Sequence, residues 1–123
     1  MLGLPLRVME VQIPDTKLKR ALEDDKERKR RFGANMAKKI QLRMDALKAA
    51  ESLGDFWPPL SGPERCHELK ADLAGTFSMD LVHPYRLLFK PMDPEHHSVT
   101  GHEKARWAAI KSIIIAGIED THG

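Results

Sequence analysis

The stretch "RCHELKADLAGTFSMDLVHPYRLLF", residues 65–89, places His67, Lys70, His83 and Arg86 within about twenty residues. These side chains can grip a phosphate or move a proton beside one. Imidazole exchanges protons near neutrality. Arginine presents a planar, permanently charged fork to phosphate oxygens. Lysine adds a compact cation. The same stretch alternates as a β-hairpin does. Two readings therefore stand, solvated strand residues or an active site.

The hairpin register separates the faces. Phe77, Met79 and Leu81 alternate onto one face of a strand, and Tyr85, Leu87 and Phe89 onto one face of the next. Opposed residues of an antiparallel pair share a face. A two-residue turn at His83-Pro84 would mix apolar and polar groups. An odd connection through Val82, His83 and Pro84 opposes Leu81 to Tyr85, Met79 to Leu87 and Phe77 to Phe89. This predicts an odd turn or a bulge, with Tyr85 turned to the core and His83 in turn chemistry. Thr76, Ser78, Asp80, Arg86, Leu88 and Lys90 then occupy the other face, with Asp80 across from Arg86. That face is either a solvated antiparallel surface or an anion-gripping one. Period-two alternation separates His67 from Lys70 in a regular strand. They meet in one site only where the strand ends or bulges between them; otherwise His67 is a buried structural histidine.

The elements that must position these groups follow from periodicity. Residues 6–13 read as a first strand, ended by Pro14, and Asp15 or Thr16 can cap a helix. Leu18 and Leu22 give that helix a thin apolar stripe. Gly33 interrupts it, and Asn35 offers a new cap. Met36, Ile40, Met44 and Leu47 mark a second helix, continued by Leu53 and closed by Gly54. The two resemble an αα-hairpin. Residues 55–64 are a Pro/Gly-rich connector. Strands are expected at 66–70, 76–82 and 85–90, then a polar loop at 92–106. The final stretch 108–120 contains three consecutive Ile residues, is apolar on both faces, and is expected as a strand inside the sheet. The order β-α-α-β-β-β-β predicts an α+β fold, helices on a mainly antiparallel sheet, in a single domain over residues 1–123.

Composition bounds the function. Cys66 is the only cysteine, which excludes an intrachain disulfide and a cysteine-based metal site. No apolar run is long enough to span a bilayer. The N-terminal "MLGLPLRVMEV" lacks a basic start and a small-residue cleavage site, so no signal peptide is expected. Net charge is +2 but uneven: residues 15–45 hold eleven Lys/Arg against six Asp/Glu, densest at "KERKRRF". That segment is either a solvated helix end or a phosphate-attracting patch. His96, His97 and His102 lie in a loop without an evident oriented second set of partners, so no metal site is expected.

"RCHELKADLAGTFSMDLVHPYRLLFKP" resembles the core of RelE-like toxins, especially the HigB-type plasmid maintenance killer branch. That branch carries H-x-L-K, then H-P-Y-R-L-x-F, then a C-terminal D-x-H, here "IEDTHG". "AKKIQLRMDALKAAESL" resembles its second helix. The resemblance implies a strand, a helical hairpin and a curved sheet. It also implies the toxin of a bacterial toxin–antitoxin pair, a cytoplasmic ribonuclease that cuts mRNA on the ribosome without cofactor or metal. Its partners would be the ribosome, mRNA and a cognate helix-turn-helix, HigA-like antitoxin. By the same resemblance Arg86 would stabilise phosphate, Lys70 would hold phosphate or act as base, and His67, Asp120 and His122 would share proton transfer. Arg28, Lys29, Arg30, Arg31, Lys38, Lys39 and Arg43 would then contact ribosomal RNA. Two positions depart from the pattern: Thr121 stands where Tyr is usual, and Ala71 where Gly is usual. A catalytically decayed module that binds antitoxin or RNA is the alternative function.

Overall fold

The computed structural model describes residues 8–92 and 103–120. Strand β1 spans Glu10–Gln12, α1 Thr16–Glu23 and α2 Asp25–Ala49. A 3-10 turn at Leu53–Phe56 follows. Then come β2 (His67–Glu68), a second 3-10 turn (Ala71–Leu73), β3 (Phe77–Asp80), β4 (Tyr85–Pro91), α3 (Glu103–Ala109) and β5 (Ser112–Asp120). The expected α+β class holds. The sheet order is β1-β5-β4-β3-β2. Only the β1–β5 pair is parallel. Strand β5 lies inside the sheet between β1 and β4, which its two apolar faces required.

The helices break elsewhere than expected. Asp15 caps α1, its Oδ1 accepting from the Lys17 and Leu18 amides at 2.9 and 3.1 Å. The helix then stops at Glu23. Asp24 is extended (φ −89°, ψ 121°) and caps α2 through the Glu27 amide at 3.0 Å. An acidic residue can close one helix and open the next, because a helix N-terminus favours negative charge. Gly33 does interrupt a helix, but inside α2: its φ of 80° and ψ of 165° suit glycine almost alone. Leu53 is not in α2 either. Ala50 is extended, and Ser52 Oγ starts the 3-10 turn by accepting the Gly54 amide at 3.1 Å. Gly54 closes no helix; a Cβ there would lie 3.0 Å from the Ala108 Cα, so glycine lets α3 approach.

Helix α3 occupies residues expected as loop and as strand onset. Its seven residues carry little periodic signal, and tertiary contact holds them. Trp107 is buried and packs edge-on against Trp57 (5.1 Å between centroids) and Phe77 (5.4 Å). Leu22, Ile40 and Leu47 from the helices meet Phe77, Leu87, Phe89 and Ile113 from the sheet in one core. Phe77 and Phe89 stack across β3 and β4 at 5.9 Å. Cys66 is buried there, and burial with the nearby Glu64 charge pushes its thiol well above the usual range.

The β3–β4 register is the expected one. Phe77 pairs with Phe89, Met79 with Leu87 and Asp80 with Arg86. The Leu81 amide donates to Tyr85 O at 3.0 Å, which closes an odd connection. Between β4 and β5 the register slips: Leu88 opposes Gly117, but Phe89 opposes Ile115. Ala116 is the extra residue of a bulge. It reverses which residues of β5 face the helices, from Ile113 and Ile115 on one side of it to Ile118 on the other.

Candidate functional site

The sheet surface away from the core carries the site, at the Asp80 end of β3. Asp80 pairs with Arg86 on β4, and Arg86 with Glu119 on β5. Continuing the β2–β3 register places Arg65 opposite Asp80. Arg65 Nε lies 3.2 Å from Asp80 Oδ2, and Arg86 Nε 3.6 Å from Oδ1. One carboxylate thus stands between two guanidinium groups, with Glu119 at the far end of the row. The second contact is longer than a hydrogen bond. Arg86 and Asp80 side chains are about one-third exposed and Arg65 about half (31%, 32% and 52%), so solvent reaches the row.

The neighbouring row is His67, Ser78, Leu88 and Gly117. His67 shares the outer face with Asp80 and Arg86. Strand geometry separates its backbone from that of Arg86 by roughly 10 Å across the strands and 7 Å along them. Its Nδ1 is 3.0 Å from Arg65 O. A carbonyl only accepts, so Nδ1 carries the proton in this contact, and a neutral ring keeps its lone pair on Nε2. His67 is half-exposed, not the buried structural histidine of the alternative reading. Its residue-65 contact makes Arg65 the functional candidate that sequence reasoning missed. The signal was present as the first letter of R-C-H, but positional alternation gave no reason to assign it.

Strand β2 ends at Glu68, between His67 and Lys70. This is the irregularity that allows both to serve one place. They line a common cavity of about 580 Å³ with Leu60, Glu68, Ala71 and Trp107. Lys70 is exposed at the start of the 3-10 turn. Ala71 follows at φ 56°, the left-handed region where glycine is at ease. Ala71→Gly is therefore expected to raise stability by up to about 1 kcal/mol, net of the greater freedom of glycine in the unfolded chain. A shift of the urea midpoint to higher concentration checks it.

Several expected placements are corrected. The outer face is not an open polar surface throughout: Thr76, Ser78 and Leu88 are buried, which leaves Asp80 and Arg86 accessible at one end and Lys90 at the other. Asp120 opposes Tyr85 and Glu119 opposes Arg86. The Ala116 bulge therefore puts Glu119, not Asp120, on the Arg86 face of β5. Tyr85 has the core-facing parity but lies at the sheet end and is 44% exposed. His122, Thr121, His96, His97 and His102 lie outside the described residues. Among the described residues, no group of three or more His, Cys, Asp or Glu is placed to hold a metal. Among them, no helix is long and apolar enough to cross a membrane.

The basic helix surface is smaller than its composition. Arg28 is buried, donating to Leu22 O at 2.8 Å and pairing with Asp25 at 3.0 Å. Arg43 is buried on two carbonyls. Neither is a surface phosphate contact. Lys29 pairs with Asp25 (3.1 Å) and Arg30 with Glu27 (2.7 Å). These hydrogen bonds hold the Asp25 and Glu27 carboxyls below their usual range. Arg31 lies 5.6 Å from the Phe32 ring centroid. Lys38 and Lys39 are exposed and line a cavity of about 510 Å³ with Asn35, Leu42 and Val82.

No family model matches the chain, and no curated protein matches it. Solved structures do. The chain is similar to a chain of the YoeB–YefM complex from Staphylococcus aureus, at 21% identity and a TM-score of 0.48, over 90% of this chain and 94% of that one. It is also similar to the YoeB/ParE toxin from Agrobacterium tumefaciens, at 18% identity and a TM-score of 0.49, over 93% of this chain and 100% of that one.

Proposed function

We propose that the protein is a RelE-like toxin of a toxin–antitoxin pair, acting as a ribosome-dependent mRNA endoribonuclease. The observation that carries this reading is the Arg65–Asp80–Arg86 row beside a half-exposed His67 whose Nδ1 is turned to a carbonyl. RNA supplies its own nucleophile, the 2′-oxygen. His67 Nε2 takes the 2′ proton as the oxygen bonds to phosphorus. The bond from phosphorus to the 5′-oxygen breaks, and an acid protonates that oxygen. Arg86 and Arg65 hold the non-bridging oxygens, where charge builds in the transition state. Lys70, which lines a cavity with His67, adds a third cation. The products are a 2′,3′-cyclic phosphate and a 5′-hydroxyl. The acid falls to Asp120 or His122 of the D-x-H tail, by resemblance alone. Lys38 and Lys39 are the helix cations proposed to meet ribosomal phosphates, with Lys29, Arg30 and Arg31 drawn in where their local contacts open. The partner in the cell is a small helix-turn-helix antitoxin, HigA-like.

A second reading keeps one specific observation, the placement of Asp120 on the Tyr85 face, together with Thr121 in the tail. It is a RelE-fold module that binds antitoxin or RNA without cutting. In vitro translation of a defined mRNA with mapping of 5′ ends separates the two. New ends with wild type and none with Arg86→Ala support the nuclease. No new ends with either, despite ribosome binding, support the module.

A further inference from the structure

Arg43 is an unusual residue to bury. It is 4% exposed, and among the described residues it pairs with no carboxylate. Burying a cation without a counter-ion is costly unless hydrogen bonds compensate. Here its Nε donates to Asp80 O at 2.7 Å and its Nη2 to Pro63 O at 3.0 Å. Those carbonyls lie 37 and 20 residues away along the chain. A planar fork with rigidly spaced donors can tie two such segments together, and a lysine ammonium cannot reproduce that spacing.

The two segments are those that carry the row. Asp80 is its central carboxylate, and Pro63 lies two residues before Arg65. The Asp80 amide also donates to Glu64 O at 2.8 Å. The 63–65 turn is thus locked to the end of β3 from both sides. Within it Arg65 is held at φ 47°, a region that non-glycine residues occupy only when the surroundings impose it. The outcome is the 3.2 Å approach of Arg65 to Asp80.

We infer that Arg43 is a positioning residue, which fixes the 63–65 turn against β3 so that Arg65 and Arg86 present their guanidinium groups to one substrate phosphate. The inference rests on the nuclease reading for the identity of that phosphate, but the positioning itself does not. Two readouts test it in Arg43→Lys and Arg43→Met. The first is hydrogen exchange by NMR in the free protein at the Asp80 amide, which donates to Glu64 O, with the Asp24 amide, which donates to Arg20 O, as reference. Both variants are expected to accelerate Asp80 amide exchange about tenfold and leave that of the Asp24 amide unchanged. The second is RNA cleavage per folded molecule, where kcat is expected to fall at least about tenfold with KM within about twofold. Asp80 amide exchange within about twofold of wild type in a folded variant overturns the inference, as does a kcat loss matching only the unfolded fraction. If Arg43→Met does not fold, Arg43→Lys, which keeps charge and most of the volume, carries the test. If the wild type cuts no RNA, the nuclease reading fails, and Asp80 amide exchange still decides the positioning.

Discussion

Arg86→Ala is expected to lower the rate of RNA cleavage by about 10²–10³-fold while changing stability by no more than about 1 kcal/mol. The two magnitudes have separate origins. In the folded protein Arg86 meets Asp80 at 3.6 Å, with both side chains about one-third exposed (31% and 32%). Solvent screens such a pair, so little stability rests on it. In the transition state the same guanidinium faces a phosphorane that has gained charge, and a preorganised donor there is worth far more. Arg86→Lys keeps the charge and loses the fork, so its rate should lie between the two. Cleavage assays and urea denaturation on the same preparations check both halves. A variant that loses activity only in proportion to its lost folding would remove Arg86 from the chemistry.

The second large effect is structural. Trp107→Ala is expected to cost about 3–5 kcal/mol. Trp107 is 1% exposed and joins α3 to the sheet through Phe77 and to the connector through Trp57. Truncation leaves a cavity between three elements that cannot all collapse into it. Trp107→Phe should cost much less, because the ring packing survives and the indole Nε1, buried without a hydrogen-bond partner among the described residues, is removed. Urea midpoints with an unchanged m-value measure the difference. Trp107 also lines the cavity shared by His67 and Lys70, so the alanine variant is expected to lose activity along with stability.

The parts of the fold legible in the sequence are those where the apolar period matched a single element. Six alternating residues, Phe77 to Phe89, set the hairpin register and with it the Asp80–Arg86 pairing. Three isoleucines placed β5 inside the sheet. The rest depended on interactions a period does not encode. Asp24 ends α1 by capping α2, and the aspartates at 24 and 25 look alike in sequence. Helix α3 is short and is held by Trp107 rather than by its own pattern. The Ala116 bulge matters most for the site. One extra residue exchanges the faces of everything after it, so Glu119 stands across from Arg86 and Asp120 leaves the Arg86 face. The glycine inside "IIIAGIED" is a residue that bulges favour, but it does not by itself fix where the faces change.

Charge was the least legible property. Composition marks seven helix cations as equivalent, but their surroundings divide them. Arg28 and Arg43 are spent on carbonyls inside the protein, Lys29 and Arg30 on acidic neighbours one turn away. A buried arginine and a surface arginine have the same letter. What separates them is the carbonyl partner, 6 residues away for Arg28 and 20 and 37 for Arg43, and that is a property of the fold.

The most direct test of the account is the chemistry of the cut ends. Purified ribosomes carrying a defined mRNA are treated with the protein in EDTA-containing and EDTA-free buffers, with enough magnesium in both to keep the ribosome intact. The fragments are then analysed by mass spectrometry. Attack by the 2′-oxygen leaves upstream fragments ending in a 2′,3′-cyclic phosphate, or the 3′-phosphate it opens to, and downstream fragments beginning with a 5′-hydroxyl, all absent with Arg86→Ala. Fragments ending in a 3′-hydroxyl and beginning with a 5′-phosphate would mean that water, not the 2′-oxygen, attacks phosphorus, and would contradict it.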